Sequence, residues 1–148
     1  MKMRLLHLMC GVLLLIGISA CSFGPSAPDK VPACQGSVVK GCSPTVYFLF
    51  DSDMISPGGE KRLDWAVKKL SRYPKKRVLV AAHTDQTGPQ KYNMALSLRR
   101  AKNAKKYLVS KGIDADRIGF AIFGPTRPVC SDYSGCAQLN RRIVLTVK

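Results

Sequence analysis

The sequence predicts an α/β (α+β) two-layer sandwich over residues 44–148, in which helices cover one mixed β-sheet. Three observations support this fold class. Residues 44–51 alternate in the manner of a strand, and residues 78–82 form a short apolar run that suits a strand buried on both faces. Apolar residues at helical spacing follow each of these strands. The resulting order, β-α-β-α-β-β, is typical of a single layered domain.

The first strand and the first helix follow from local patterns. Ser56 and Pro57 have the residue types favoured at an N-cap and at the first helical position. The helical spacing continues to about Tyr73, and Pro74 ends the element. The alternating apolar positions of the preceding strand are Val46, Phe48 and Phe50.

The second half of the domain begins with a helix over about 90–111, which Gly88-Pro89 precedes and Gly112 ends. A third strand is expected over Arg117–Phe123 and a fourth over Arg141–Val147. The inner stripe of the helix is Leu98, Ala101, Ala104 and Leu108.

The N-terminal segment has the organisation of a targeting signal. A basic start, an apolar stretch over residues 5–18 and small residues before Cys21 predict a signal peptide over residues 1–20. This junction resembles a bacterial lipobox, which implies lipid attachment to Cys21. Because Ser22 follows the lipid site, the resemblance also implies an outer-membrane lipoprotein whose domain faces the periplasm. An ordinary secretory signal is the alternative.

Composition narrows the classes of partner. The chain carries 24 Lys and Arg against 9 Asp and Glu, a formal net charge of +15, and this excess favours anionic partners. For an exported protein these are anionic phospholipid, lipopolysaccharide, peptidoglycan carboxylates or an acidic protein, and nucleic acid is not expected. Residues 21–43 contain several prolines and no apolar period, and they predict a lipid-anchored tether that keeps the domain near the membrane.

The cysteines agree with export. Apart from one Cys in the signal peptide and Cys21, four remain: Cys34, Cys42, Cys130 and Cys136. An even number in an oxidising compartment indicates disulfides. Local spacing favours Cys34–Cys42 and Cys130–Cys136, although two other connectivities fit. A four-Cys zinc site is not favoured, because neither pair has the short gap typical of such sites. We predict no metal and no cofactor.

One stretch concentrates polar residues where a strand meets a helix. Asp85 leaves the second strand, where crevices of α/β folds usually open. Asn93 and Arg100 share one face of the following helix. An acid and a guanidinium at this spacing suit a ligand that carries both an ammonium and a carboxylate. The candidate crevice residues are Phe50, Asp51, Asp85, Asn93, Leu96 and Arg100.

Three segments occur in an informative order: VYFLFDS over 46–52, TDQTGPQKYNMALSLRRA over 84–101, and NRR over 140–142. Together they resemble the OmpA-like C-terminal domain family, a peptidoglycan-binding module found in Pal-like outer-membrane lipoproteins. The resemblance covers about 45–148. It implies the same layered fold, and a domain that holds the outer membrane, or a complex in it, to the cell wall.

The resemblance also implies roles for individual residues. The family binds the diaminopimelate residue of the peptidoglycan stem peptide without covalent chemistry. Asp85 would contact the diaminopimelate ammonium, and Arg100 would hold its carboxylate, which matches the planar guanidinium fork. Asn93 would bond nearby, and Arg142 would support the site from the last strand. The other crevice residues would frame the pocket. The Cys130–Cys136 loop is not a general feature of the family.

Other interpretations stay open at this stage. Asp85 and Arg100 would also suit a simple ion pair with each other. A catalytic set of His83, Asp85 and Ser97 is not favoured, since Ser97 lacks a Gly-x-Ser-x-Gly elbow, and we expect no enzyme. The alternative function is an accessory lipoprotein of a secretion or conjugation machine that acts mainly through its basic surface. Nucleic-acid binding would rest on charge alone.

Overall fold

A computed structural model describes residues 43–131 and 135–148. The predicted signal peptide, the lipid site Cys21, the Cys34–Cys42 pair and nearly all of the predicted tether lie outside the described residues. The elements in chain order are β1 (Thr45–Tyr47), α1 (Pro57–Arg72), β2 (Val78–His83), α2 (Gln90–Ser110), a 3-10 turn (Ala115–Arg117), β3 (Ile118–Gly124), α3 (Ala137–Asn140) and β4 (Arg142–Val147).

The four strands form one mixed sheet in the order β1-β4-β2-β3. Strands β2 and β3 are parallel and are connected through α2, while β4 is antiparallel to both of its neighbours. In the central register Val80 lies between Leu145 and Phe120. This side of the sheet packs against α1 and α2 in one apolar core. The predicted two-layer α+β fold with a mixed sheet is therefore confirmed.

The helix boundaries follow from the sequence signals. The Ser56 side chain accepts a hydrogen bond from the Gly59 backbone N–H at 3.2 Å, and Pro57 begins α1. Gly112 follows the end of α2 with φ +85°, a left-handed conformation that glycine adopts without a Cβ clash. Ala101, Ala104 and Leu108 are buried in the core as expected.

Two expectations about local structure are wrong. The first strand ends at Tyr47 rather than extending to residue 51, because its ladder with β4 stops where Tyr47 pairs with Arg142. The Phe48 N–H makes one more hydrogen bond, to the Arg141 carbonyl, before the chain turns. Phe50 is consequently 62% exposed instead of sharing the buried face of Val46. On α2, Leu98 is only half-buried and does not belong to the inner stripe.

Candidate ligand-binding crevice

A crevice of about 200 Å³ lies between the end of β2, the start of α2 and the turn that follows β1. All six residues that the sequence indicated as rim or wall line it: Phe50, Asp51, Asp85, Asn93, Leu96 and Arg100. Its other lining residues include Thr84, Thr87, Tyr92 and Arg141, which the sequence did not single out as crevice residues. Phe50 and Asp51 reach the crevice from the turn that follows β1, because this segment does not continue the strand.

Arg100 is the most constrained of these residues. Its side chain is fully buried, and its guanidinium lies 4.7 Å from the centre of the Phe48 ring. The guanidinium donates from Nε to the Ser52 carbonyl at 2.8 Å, from Nη1 to the His83 carbonyl at 2.9 Å, and from Nη2 to the Leu49 carbonyl at 3.4 Å. Arg100 thereby joins the turn after β1 to the end of β2.

The charge of Arg100 has no counter-ion within ion-pair distance among the described residues. Burial lowers the pKa of Arg100 to about 10, an effect that the nearby Asp85 charge opposes, so the side chain stays protonated at neutral pH. Three of its five N–H donors reach carbonyls, which leaves two for a ligand. A simple Asp85–Arg100 ion pair, the interpretation left open by the sequence, is not what the structure contains.

Asp85 pairs with Arg141 instead. Its Oδ2 accepts from Arg141 Nη1 at 2.8 Å, and its Oδ1 accepts from the Thr87 backbone N–H at 3.3 Å. Asp85 is 4% exposed. Arg141 is held in turn by a hydrogen bond from Nη2 to Gln138 Oε1 and lies 5.9 Å from the Phe50 ring. The acid is thus already oriented, and its cationic partner forms part of the crevice wall.

Arg141, and not Arg142, lines the crevice, so the support expected from Arg142 stays a prediction of an indirect role. Consecutive residues at the start of a strand point to opposite sides, so only one of the two can face the site. Arg142 donates instead to the carbonyls of Leu139, Asn140 and Arg127 at 3.4–3.5 Å. The two adjacent arginines in the sequence indicated that one of them reaches the site. Which one does so depends on the residue at which β4 begins, because this sets the side of the sheet to which each side chain points.

Asn93 and Tyr92 shape the mouth of the crevice. Asn93 Nδ2 donates to the Thr87 carbonyl at 2.8 Å and so fixes the loop that carries Asp85. The Tyr92 hydroxyl donates to Asp51 Oδ1, and this hydrogen bond raises the pKa of Tyr92. Asp51 has φ 51°, a conformation uncommon for a residue other than glycine. Asn93 therefore has a loop-supporting role whether or not it also contacts a ligand.

Thr84 and His83 are buried next to the crevice and are incompletely bonded. Thr84 Oγ1 and His83 Nδ1 have no hydrogen-bond partner within the described part of the chain. Thr84 is among the residues that line the crevice, although its side chain is buried. His83 stacks on Phe123 at 5.1 Å between ring centres, and burial together with the nearby arginines lowers the pKa of His83 to about 4. Its imidazole is neutral at pH 7.

The remaining geometry gives no support to a catalytic serine. Ser97 Oγ donates to the Met94 carbonyl at 2.8 Å, within its own helix. Across 43–131 and 135–148, no group of three or more His, Cys, Asp or Glu side chains is placed to hold a metal ion. No helix in those two ranges combines the length and apolarity needed to cross a bilayer.

The crevice therefore offers opposite charges at short range. Arg100 and Arg141 present guanidinium groups, and Asp51 and Asp85 present carboxylates, with Phe50 as an apolar wall. Such a set suits a small zwitterionic group held by charge-assisted hydrogen bonds.

Comparison with known proteins agrees with this architecture. The family model described as "OmpA family" matches residues 47–142. A peptidoglycan-associated lipoprotein of Rhizobium meliloti is 32% identical over 127 residues, which covers 84% of this chain and 72% of that protein. Outer membrane protein A of Bordetella avium is 34% identical over 134 residues and covers 88% and 69%.

Solved structures share the fold. The crystal structure of the peptidoglycan-associated lipoprotein from Burkholderia pseudomallei superposes with a TM-score of 0.64 and 29% identity, covering 70% of this chain and 89% of that one. The C-terminal domain of Helicobacter pylori MotB, at 23% identity and a TM-score of 0.62, covers 70% and 81% and shows the same fold. The chain belongs to the OmpA family.

Proposed function

We propose that this protein binds peptidoglycan without covalent chemistry, through the diaminopimelate residue of the stem peptide, and tethers the outer membrane to the cell wall. The observation that carries the proposal is Arg100, a buried cation without a carboxylate partner among the described residues, beside the oriented carboxylate of Asp85 in one crevice. Similar proteins are named peptidoglycan-associated lipoproteins, which supports the same ligand here.

The diaminopimelate side chain ends in an ammonium and a carboxylate on one carbon. In the proposed complex the carboxylate accepts the two remaining N–H donors of Arg100, and this interaction neutralises the buried charge. The ligand ammonium lies against Asp85, whose carboxylate then contacts both this ammonium and Arg141.

The proposed anchoring rests on the N-terminal sequence. Residues 1–20 act as the signal peptide, Cys21 carries the lipid, residues 21–43 form the tether with a Cys34–Cys42 disulfide, and residues 44–148 form the binding domain. The protein is then anchored in the outer membrane with its domain in the periplasm, and it is not an enzyme. The accessory role in a secretion machine is less favoured, because it assigns no ligand to the charged crevice.

Co-sedimentation with purified diaminopimelate-type sacculi tests the proposal. The mature protein in detergent is compared with Asp85→Asn, which removes the crevice carboxylate, at low and at physiological salt. Asp116→Asn is the matched control, because Asp116 is exposed and far from the crevice lining. We expect binding that persists at physiological salt, falls at least tenfold in Asp85→Asn and is unchanged in the control. Binding that disappears with salt and is equal in all three proteins would refute the proposal.

A further inference from the structure

A second surface of the molecule lies at the other end of α2. A shallow groove of about 560 Å³ runs between the last three turns of this helix and strand β3. It shares no lining residue with the crevice, and Lys102, the groove residue that follows Arg100 by two positions, lies on a different face of the helix. The groove is lined by Lys102, Lys105, Lys106, Val109, Ser110 and Phe120.

The floor of the groove is apolar and partly open. Val109 is 43% exposed, and Phe120 is half-buried with the ammonium of Lys105 5.8 Å from its ring centre. Phe120 is in register with Val80, so its side chain points to the helical side of the sheet. An apolar side chain of a partner would therefore bury Val109 and Phe120 together.

The rim of the groove carries charge of one sign. No Asp or Glu occurs anywhere in α2. Among the described residues, no carboxylate lies within ion-pair distance of Lys102, Lys105 or Lys106. Three neighbouring ammonium groups without counter-ions repel one another and attract an anionic partner. Charge therefore selects acidic residues in whatever fills the groove.

The strand beside the groove is an edge strand. In the described sheet β3 pairs only with β2, and its other side faces outward along Ile118–Gly124. Edge strands offer unpaired backbone groups that pair readily with an added strand. Since side chains of a strand alternate between faces, every second side chain of an added strand would reach the groove beside Phe120.

We propose that this face is a docking surface for an extended segment of a partner protein, in which acidic and apolar residues mix. The segment adds a strand to the outer edge of β3, places an apolar side chain against Val109 and Phe120, and sets carboxylates near the three groove lysines. This mode combines main-chain hydrogen bonds with side-chain selection. Because the groove is separate from the crevice, such a partner and a crevice ligand bind at the same time.

Fluorescence anisotropy tests the proposal on the mature protein in detergent. The probe is a labelled octapeptide in which every second residue is threonine and the residues between them alternate valine and glutamate, so that one face of the extended peptide carries both valine and glutamate. The test variant is Lys102→Gln/Lys105→Gln/Lys106→Gln. The matched control, Lys68→Gln/Lys75→Gln/Lys76→Gln, removes the same charge from exposed positions in and just after α1. We expect the peptide to bind, at least tenfold weaker in the groove variant and within twofold of wild type in the control. The same peptide with lysine in place of glutamate is expected not to bind.

Amide hydrogen exchange gives the second readout. The bound glutamate–valine peptide is expected to slow exchange at outward-facing amides of β3 and to leave exchange at β1 unchanged. Three results would overturn the proposal: no binding of the peptide, equal weakening in both triple variants, or binding without protection of β3. Phosphatidylglycerol vesicles are a further arm, and binding that depends on the groove lysines for vesicles but not for the peptide would assign the surface to a membrane instead.

Discussion

Arg100 shows at the scale of one residue how this molecule prepares a binding site. A buried guanidinium loses its hydration, and the loss is repaid only when hydrogen bonds and an opposite charge replace water. Carbonyl groups of Ser52, His83 and Leu49 provide the hydrogen bonds, but no described carboxylate lies within ion-pair distance. The buried positive charge is therefore incompletely balanced, and a ligand carboxylate would balance it.

Two arginines on different helices permit a matched test of this role. Arg100→Lys keeps the charge and loses the fork, so we expect at least tenfold weaker binding of a diaminopimelate peptide and a stability loss of about 2 kcal/mol. Arg72→Lys is the control, because Arg72 is exposed at the end of α1 and does not line the crevice. Calorimetry and thermal unfolding measure both effects. If the two variants bound the diaminopimelate peptide with equal affinity, Arg100 would have no specific role in the site.

His83 makes the stability of the domain depend on pH. Its pKa of about 4 in the folded protein lies below the ordinary value of 6.5, so on acidification the unfolded chain takes up a proton first. The stabilisation is complete above pH 6.5 and is lost as the pH falls towards 4. Between pH 7 and pH 5 this amounts to about 2 kcal/mol.

Urea unfolding at pH 7 and pH 5 measures the effect. His83→Phe retains an aromatic ring against Phe123 and cannot titrate, so we expect a smaller loss of stability on acidification than in the wild type. A decline of the same size in both proteins would assign the pH dependence to the carboxylates.

The crevice residues separate what the sequence determines from what it does not. Asp85, Asn93 and Arg100 were predictable because strand-to-helix order and helical spacing alone bring them together. Arg141 was not, because its direction depends on the residue at which β4 begins, and that is decided by tertiary pairing with Phe48 and β1. Local pattern carries no information on such a boundary.

At the scale of elements, the segment before β4 connects a disulfide to the crevice. Cys130 and Cys136 form the predicted bond, and the buried Asn140 side chain accepts from the backbone N–H groups of Val129 and Cys130. Gln138, on α3, donates to the Phe48 carbonyl and accepts from the arginine that pairs with Asp85. This short helix was not predicted, because a four-residue helix has too little periodicity to be recognised.

The disulfide is expected to support both stability and binding. In the chain-entropy model a loop this short contributes about 2 kcal/mol, so Cys130→Ser/Cys136→Ser should lower the free energy of unfolding by that amount. Loosening of α3 should also weaken ligand binding several-fold, because the Arg141–Asp85 pair loses its support. Denaturant unfolding and calorimetry on the oxidised wild type and the double variant measure both. Unchanged affinity in a less stable variant would limit the loop to a structural role.

The two predicted helices and the strands of the sheet show which elements the sequence defines well. Ser56 and Pro57 mark the start of α1 chemically, and Gly112 marks the end of α2. The prediction for β1 failed by four residues, because alternation continues into a turn that lacks a strand partner. A helix cap depends on residues close in the sequence, whereas the length of a strand depends on the strand that pairs with it.

At the scale of the whole molecule, two kinds of electrostatic interaction coexist. The formal net charge of +15 creates a general attraction to polyanions, which salt screens strongly. The crevice, in contrast, holds buried charges of both signs whose interactions with a ligand are screened much less. Salt dependence therefore separates attraction by the surface from recognition by the site.

The most direct test of the central claim is titration calorimetry of the mature protein with two soluble stem tripeptides. One ends in diaminopimelate, and the other ends in lysine, which lacks the distal carboxylate and is otherwise matched in length and ammonium position. We predict binding of the diaminopimelate peptide at physiological salt and at least tenfold weaker binding of the lysine peptide, because only the former neutralises Arg100. Equal affinity for the two peptides, or no binding of either, would contradict the account.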